Sequence, residues 1–139
     1  MNSRYKKETY IKRVAFFKHT MNSNCPIFKA SNIIGKKWTI LIILEIYKGS
    51  SQTRRYNELK KRIPLITPKI LSSRLKELIN YGIINKKIDA TSFPIKSNYK
   101  LTKSGKEFMK IIEHLKEWAL KNQTKNKICE NTTCELCDL

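Results

Sequence analysis

The amino-acid sequence predicts a mainly α-helical domain with a small β-hairpin wing, a winged helix-turn-helix, from three of its features. The stretch Asn57 to Gly82, NELKKRIPLITPKILSSRLKELINYG, predicts a short helix, a tight Pro-containing turn and a longer second helix. Directly after it the apolar period shifts from helical towards two, which predicts a pair of strands. Nearer the C-terminus a long helical segment carries a broad apolar stripe.

The second helix of the central stretch is marked at both ends. Thr67 can cap its free amides, Pro68 suits its first position, and Gly82 can end it in a left-handed conformation. Leu71, Leu75 and Leu78 recur on one face, while Lys69, Ser72, Ser73 and Lys76 recur on the opposite one. One face is built to pack and the other to touch a partner. Upstream, Thr53 to Tyr56 predicts a brief strand, with Asn57 capping the first helix of the pair.

Charge narrows the partner. A chain of 139 residues is one ordinary domain, and its 29 Lys plus Arg against 11 Asp plus Glu leave a net charge of +18. A pI near 9.9 favours polyanions, with nucleic acid or an anionic membrane surface as the candidates. The excess is concentrated: from Lys48 to Lys76 there are nine basic residues against one acid, Glu58. No apolar run is long enough for a membrane span, and MNSRYKKETYIKR lacks the apolar segment of a signal peptide. The expected location is therefore cytoplasmic, with no membrane partner.

In chain order, residues 4–20 read as a helix with Tyr10, Ile11, Val14 and Phe17 on one stripe, an N-terminal arm over residues 1–24 that packs on its own domain or forms a dimer. Residues 25–122 form the winged domain. In it, residues 26–34 make a short amphipathic helix ended by Gly35, and Lys36 to Tyr47 make a nearly all-apolar core helix anchored by Trp38 and stopped by Gly49. Ile83 to Ile88 and Ile95 to Leu101 form the hairpin. Its Lys86, Lys87, Lys96 and Lys100 suit a wing along a phosphate backbone, the alternative being a solvated hairpin protected by charge. Thr102 or Ser104 then starts the last long helix, Ser104 and Glu107 standing at capping-box spacing. Its stripe of Phe108, Ile111, Ile112, Leu115, Trp118 and Ala119 suits burial by a second copy, so the domain is expected to be dimeric through its N- and C-terminal helices. His19 and His114 read as ordinary surface residues.

An ordered run of motifs resembles the HxlR-type regulators, a MarR-like winged-helix family. It begins at Cys25-Pro26-Ile27 and Gly35-Lys36-Lys37-Trp38-Thr39-Ile40-Leu41-Ile42-Ile43-Leu44. It continues through Arg55-Tyr56-Asn57-Glu58-Leu59, Ile63-Pro64, Thr67-Pro68-Lys69-Ile70-Leu71, Arg74-Leu75-Lys76-Glu77-Leu78, Tyr81-Gly82-Ile83-Ile84 and Tyr99 to Gly105. A run in order over Cys25 to Trp118 is far more specific than any one motif. The resemblance implies a cytoplasmic, dimeric, DNA-binding repressor or activator. Two departures are the roughly twenty residues before Cys25 and the terminal CENTTCELCDL.

The resemblance also implies a redox- or electrophile-sensing thiol at Cys25, and a cysteine ahead of a helix N-terminus is placed for thiolate character. Its alternative is a small buried hydrophobe. In the tail, residues 123–139, Cys129, Cys134 and Cys137 have C-x4-C-x2-C spacing, so three thiolates can converge, with Cys25 as a fourth, on zinc or an iron-sulfur cluster. Reversible disulfides and an inert tail are the alternatives.

For DNA, Thr67, Lys69, Ser72, Ser73 and Lys76 are expected in the major groove or on its flanking phosphates, with Arg74 nearer the packed side. Arg54, Arg55 and the wing lysines Lys86, Lys87 and Lys96 are expected on phosphates, and a dimer would need an inverted-repeat operator in double-stranded DNA. Thiol oxidation, alkylation or metal loss would then alter dimer geometry and operator affinity. Competing readings are a protein-interaction module, and a thiol-disulfide redox protein built on Cys134-x-x-Cys137. The second lacks the βαβ context of such sites. No Ser/His/Asp set, paired-carboxylate site or Gly-rich phosphate loop is present, so no catalytic residue and no enzyme activity is expected.

Overall fold

The computed structural model describes residues 25–137, which excludes the helix expected over 4–20. The chain divides into two compact units at Lys36. In the first, α1 (Pro26–Ile34) has Pro at its first turn, buries no residue and ends at Gly35, whose N–H donates to Ser31 O at 2.8 Å.

The second unit is built around α2 (Thr39–Tyr47), whose Ile42, Ile43 and Ile46 are wholly enclosed. This helix starts at Thr39 and not at Lys36, because Trp38 takes a left-handed φ of 80° at its N-cap. Trp38 is half-buried under the Lys37 ammonium, 4.7 Å from the ring centroid. It is an edge residue in a cation–π contact, which corrects its reading as a core anchor. A short 3-10 turn (Ser50–Gln52) leads into β1 (Thr53–Arg55) and α3 (Tyr56–Arg62). Arg55, not Asn57, is the N-cap of α3: the Glu58 carboxylate reaches back and accepts the Arg55 N–H at 2.8 Å.

The longer α4 (Pro68–Asn80) ends as its sequence predicts. Thr67 Oγ1 accepts the Ile70 N–H at 3.3 Å. At the other end Gly82, at φ 69°, donates to Ile79 O while Ile83 donates to Leu78 O, the paired bonds of a Schellman motif. Strands β2 (Ile84–Asp89) and β3 (Lys96–Leu101) form the hairpin, and β1 adds to its far side to give an antiparallel sheet ordered β1-β3-β2. The pairing of Thr53 with Lys100 and Arg55 with Asn98 ties the start of the helix pair to the wing. Leu59, Leu71, Leu75, Leu78, Ile84, Leu101, Met109 and Ile112 complete the core.

The last long helix, α5 (Lys103–Asn122), is capped by Thr102, with Ser104 inside the first turn. Thr102 Oγ1 accepts the Gly105 N–H at 3.1 Å and donates to Gly82 O at 2.6 Å, so one hydroxyl starts α5 and holds the end of α4. A Cβ on Gly105 would run into Ile83 O, which is backbone and cannot step aside. Gly105→Val is accordingly expected to cost roughly 2–3 kcal/mol through overpacking. A denaturant midpoint equal to the parent's would refute that. A short α6 (Lys127–Asn131) follows, and no helix among the described residues is long and apolar enough to cross a membrane.

Candidate nucleic-acid interface

Helix α4 offers one continuous exposed face. Leu71, Leu75 and Leu78 are buried, while Thr67, Lys69, Ser72, Ser73 and Lys76 are exposed. The opposite placement follows from the helical period, since one apolar stripe turned inward leaves the remaining arc to solvent. The face is braced from α3: Tyr56 Oη donates to Pro68 O at 3.2 Å and lies 3.1 Å from Ser72 Oγ. No spacing rule marks a tyrosine at the head of one helix as the strut of the next, so Tyr56 is absent from the sequence-derived set.

The nine basic residues of Lys48 to Lys76 separate into two groups. Lys48 and Arg62 bond the buried Glu45 carboxylate at 3.2 and 2.6 Å. Arg54 differs from its expected role on phosphates: its guanidinium donates to Glu45 O at 3.1 Å and Lys48 O at 3.2 Å. It thereby satisfies carbonyls at the C-terminus of α2, where the helix leaves acceptors without internal donors. Arg74 likewise pairs with Glu77 at 2.7 Å and is partly enclosed, in keeping with its angular position. Arg55, Lys60, Lys61, Lys69 and Lys76 remain exposed.

The sheet sorts the wing lysines by face, because neighbouring residues on a strand point to opposite sides. Arg55, Asn98 and Lys87 form one cross-strand row on the outer face, and Lys96 and Lys100 share that face. Lys86 is on the other face, opposite the buried Tyr99, with its ammonium 6.0 Å from the ring centroid. Lys86 and Lys87 therefore extend from opposite faces of the hairpin. At the hairpin loop the Asp89 carboxylate accepts from the Thr91 hydroxyl at 2.6 Å, the Thr91 N–H at 3.1 Å and the Ser92 hydroxyl at 3.3 Å. The Thr91 bonds foremost hold its carboxyl below the usual range. Ile88, Phe93 and Ile95 stand exposed around this loop.

On α5 the apolar stripe divides. Met109 and Ile112 enter the core and Phe108 is half-buried, whereas Ile111, Leu115 and Trp118 remain exposed at i, i+4 and i+7.

The cysteines are all free and half-buried. Cys25 caps α1 in the first unit and the other three belong to the second. Among the described residues no three His, Cys, Asp or Glu side chains are grouped so that they could hold a metal ion.

The model of the family described as HxlR-like helix-turn-helix matches residues 33–127. Bacillus subtilis YdzF, an uncharacterized HTH-type transcriptional regulator, is 35% identical over 105 residues, covering 72% of this chain and 94% of its own. A MarR-family transcriptional regulator from Porphyromonas gingivalis W83 superposes with a TM-score of 0.64 at 36% identity, over 73% of this chain and 95% of that one. The redox regulator HypR in its oxidized form superposes with a TM-score of 0.63 at 30% identity, over 72% and 99%. A capped helix with a basic outer face, a wing paired to its base and matches over most of the winged unit converge: the chain belongs to the HxlR-like helix-turn-helix family and is a DNA-binding transcription regulator.

Proposed function

We propose that this regulator works as a homodimer on an inverted-repeat operator, acting by binding and not by turnover, in the cytoplasm. The exposed face of α4 enters the major groove with Thr67, Lys69, Ser72, Ser73 and Lys76, and Arg55, Lys87 and Lys96 lie along phosphates. The observation that carries this is the segregation on α4: three buried leucines on one side, two lysines and three hydroxyls exposed on the other. Arg54 and Arg74 are left out of the contact set because each bonds a partner within the fold, and Lys86 because it leaves the hairpin on the face opposite Lys87.

The dimer is built on the exposed stripe Ile111, Leu115 and Trp118, since a stripe of large side chains at helical spacing matches a second copy of itself about a two-fold axis. Leu115→Arg tests it by light scattering and operator selection together. The expected result is a monomer of half the parent's mass that no longer selects two-fold-related half-sites. A parent that selects a single unrepeated site would overturn the proposal.

The name of HypR as a redox regulator and the position of Cys25 support a thiol-controlled affinity here too. Band shifts with reduced and oxidised protein are expected to differ, and the difference is expected to vanish in Cys25→Ser. Equal affinities in both states would refute it.

A further inference from the structure

The hairpin ends in apolar side chains that the fold does not use. Phe93 is 100% exposed, Ile95 67% and Ile88 59%, although the strands behind them pack Ile84, Tyr99 and Leu101 into the core. The tip is braced: the Asp89 carboxylate accepts from Thr91 and Ser92, the two residues directly before Phe93. The ring is therefore presented on a stiffened turn. Charge around it is one-sided, since Ile84 to Leu101 carries four lysines against one acid, Asp89, which stands opposite Lys96 in the strand register.

The tip is also tied to the DNA-facing helix. A cavity of about 410 Å³ is lined by Pro94 and Ile95 of the loop and by Arg55 and Tyr56 at the head of α3. Tyr56 Oη in turn donates to Pro68 O in the first turn of α4. Through Tyr56, the loop and the start of α4 are neighbours.

We infer that Phe93 is a wedge: with α4 in the major groove, its ring enters the neighbouring minor groove, parts a base step and bends the DNA. The inference rests on the placement of α4 proposed above. The minor groove is about 6 Å wide, too narrow for a ribbon whose two strands lie about 4.8 Å apart before their side chains are added, yet open to a single ring. Apolar side chains that enter there unstack a base step, and the cost is offset by the extra protein surface that bent DNA reaches. Here that surface is cationic, because Arg55, Lys87, Lys96 and Lys100 share the outer face of the sheet. Lysines beside an apolar tip match base pairs lying between two rows of phosphates better than they match an apolar protein groove. The consequence is a sequence preference at a position that α4 does not touch. Pyrimidine–purine steps (TA, CA/TG) part most readily, so selected operators should carry one under the tip.

The full chain, Phe93→Ser, Phe93→Trp and the double variant Lys69→Ala, Lys76→Ala are compared on the operator that the parent selects from random DNA. The duplex carries dyes at both ends and 2-aminopurine at the flexible step. The parent and Phe93→Trp are expected to shorten the end-to-end distance and raise the 2-aminopurine emission. Phe93→Ser is expected to lose both signals and to bind about tenfold more weakly. In its own selection it should lose the flexible step and keep the bases read by α4. Because Phe93 is wholly exposed, circular dichroism should show the parent's fold. Equal bend and emission in parent and Phe93→Ser, or DNA left straight by the parent, would overturn the wedge and leave α4 in its groove. Undiminished binding by the double lysine variant would overturn both readings. Straight DNA together with binding to phosphatidylserine vesicles that Phe93→Ser abolishes would assign the tip to a membrane surface and overturn the wedge.

Discussion

Replacing Glu45 by alanine is expected to cost roughly 3–5 kcal/mol of folding stability, the range for removing one partner of a buried ion pair. Its carboxylate is only 9% exposed, and Lys48, whose ammonium it accepts at 3.2 Å, is 3% exposed. The same carboxylate receives Arg62 from α3 at 2.6 Å, while the backbone carbonyl of Glu45 receives Arg54 from β1. One residue of the central helix therefore gathers three cations, from the end of its own helix, from α3 and from β1. Without the carboxylate, the Lys48 ammonium keeps its burial and loses the charge 3.2 Å away. A domain whose total stability is typically about 5–15 kcal/mol would lose a large part of it. Chemical unfolding of parent, Glu45→Ala and Glu45→Gln gives the measurement. The glutamine variant, which keeps the shape and one acceptor oxygen, is expected to lose less than alanine. A loss below about 1 kcal/mol for Glu45→Ala would show that the cluster behaves like an ordinary surface pair.

The double variant Lys69→Ala, Lys76→Ala is expected to lower operator affinity by about a hundredfold or more while leaving the fold intact. Both side chains are exposed on α4 and neither occupies the leucine-lined interior. In a dimer the change removes up to four cationic contacts, so the slope of log affinity against log salt should flatten by about 3 to 4. Arg54→Ala supplies the contrast. Its guanidinium is committed to Glu45 O and Lys48 O, so it should lower stability without changing the salt slope. A double variant with the parent's affinity and slope would remove α4 from the interface.

The parts of this protein governed by local chemistry are legible in its sequence. Thr67, Pro68 and Gly82 delimit α4 because capping and left-handed backbone are decided within a few residues. The leucine and lysine faces follow from helical period alone. Legibility fails where a partner is distant along the chain. Nothing local announces that Arg54 turns to carbonyls at positions 45 and 48, or that β1 joins the wing by pairing with β3. Trp38 escapes for a different reason: a left-handed backbone is unusual for a bulky aromatic residue, so helix patterning carries straight through it. The separation of Lys86 from Lys87 lay within reach of the strand period, had the two lysines been assigned to faces and not counted together.

The Tyr56 strut carries a consequence for base choice. Pro68 O can only accept, so when the single phenolic proton of Tyr56 goes there, the proton between Tyr56 and Ser72 comes from serine. In the proposed complex Ser72 then has its proton engaged with Tyr56 and offers lone pairs to the groove. Phosphate oxygens and guanine's O6 and N7 are acceptors too, and have nothing to give it. In the proposed complex its natural counterparts are the exocyclic amino groups of adenine and cytosine, so a tyrosine of α3 biases which base edge a serine of α4 can read.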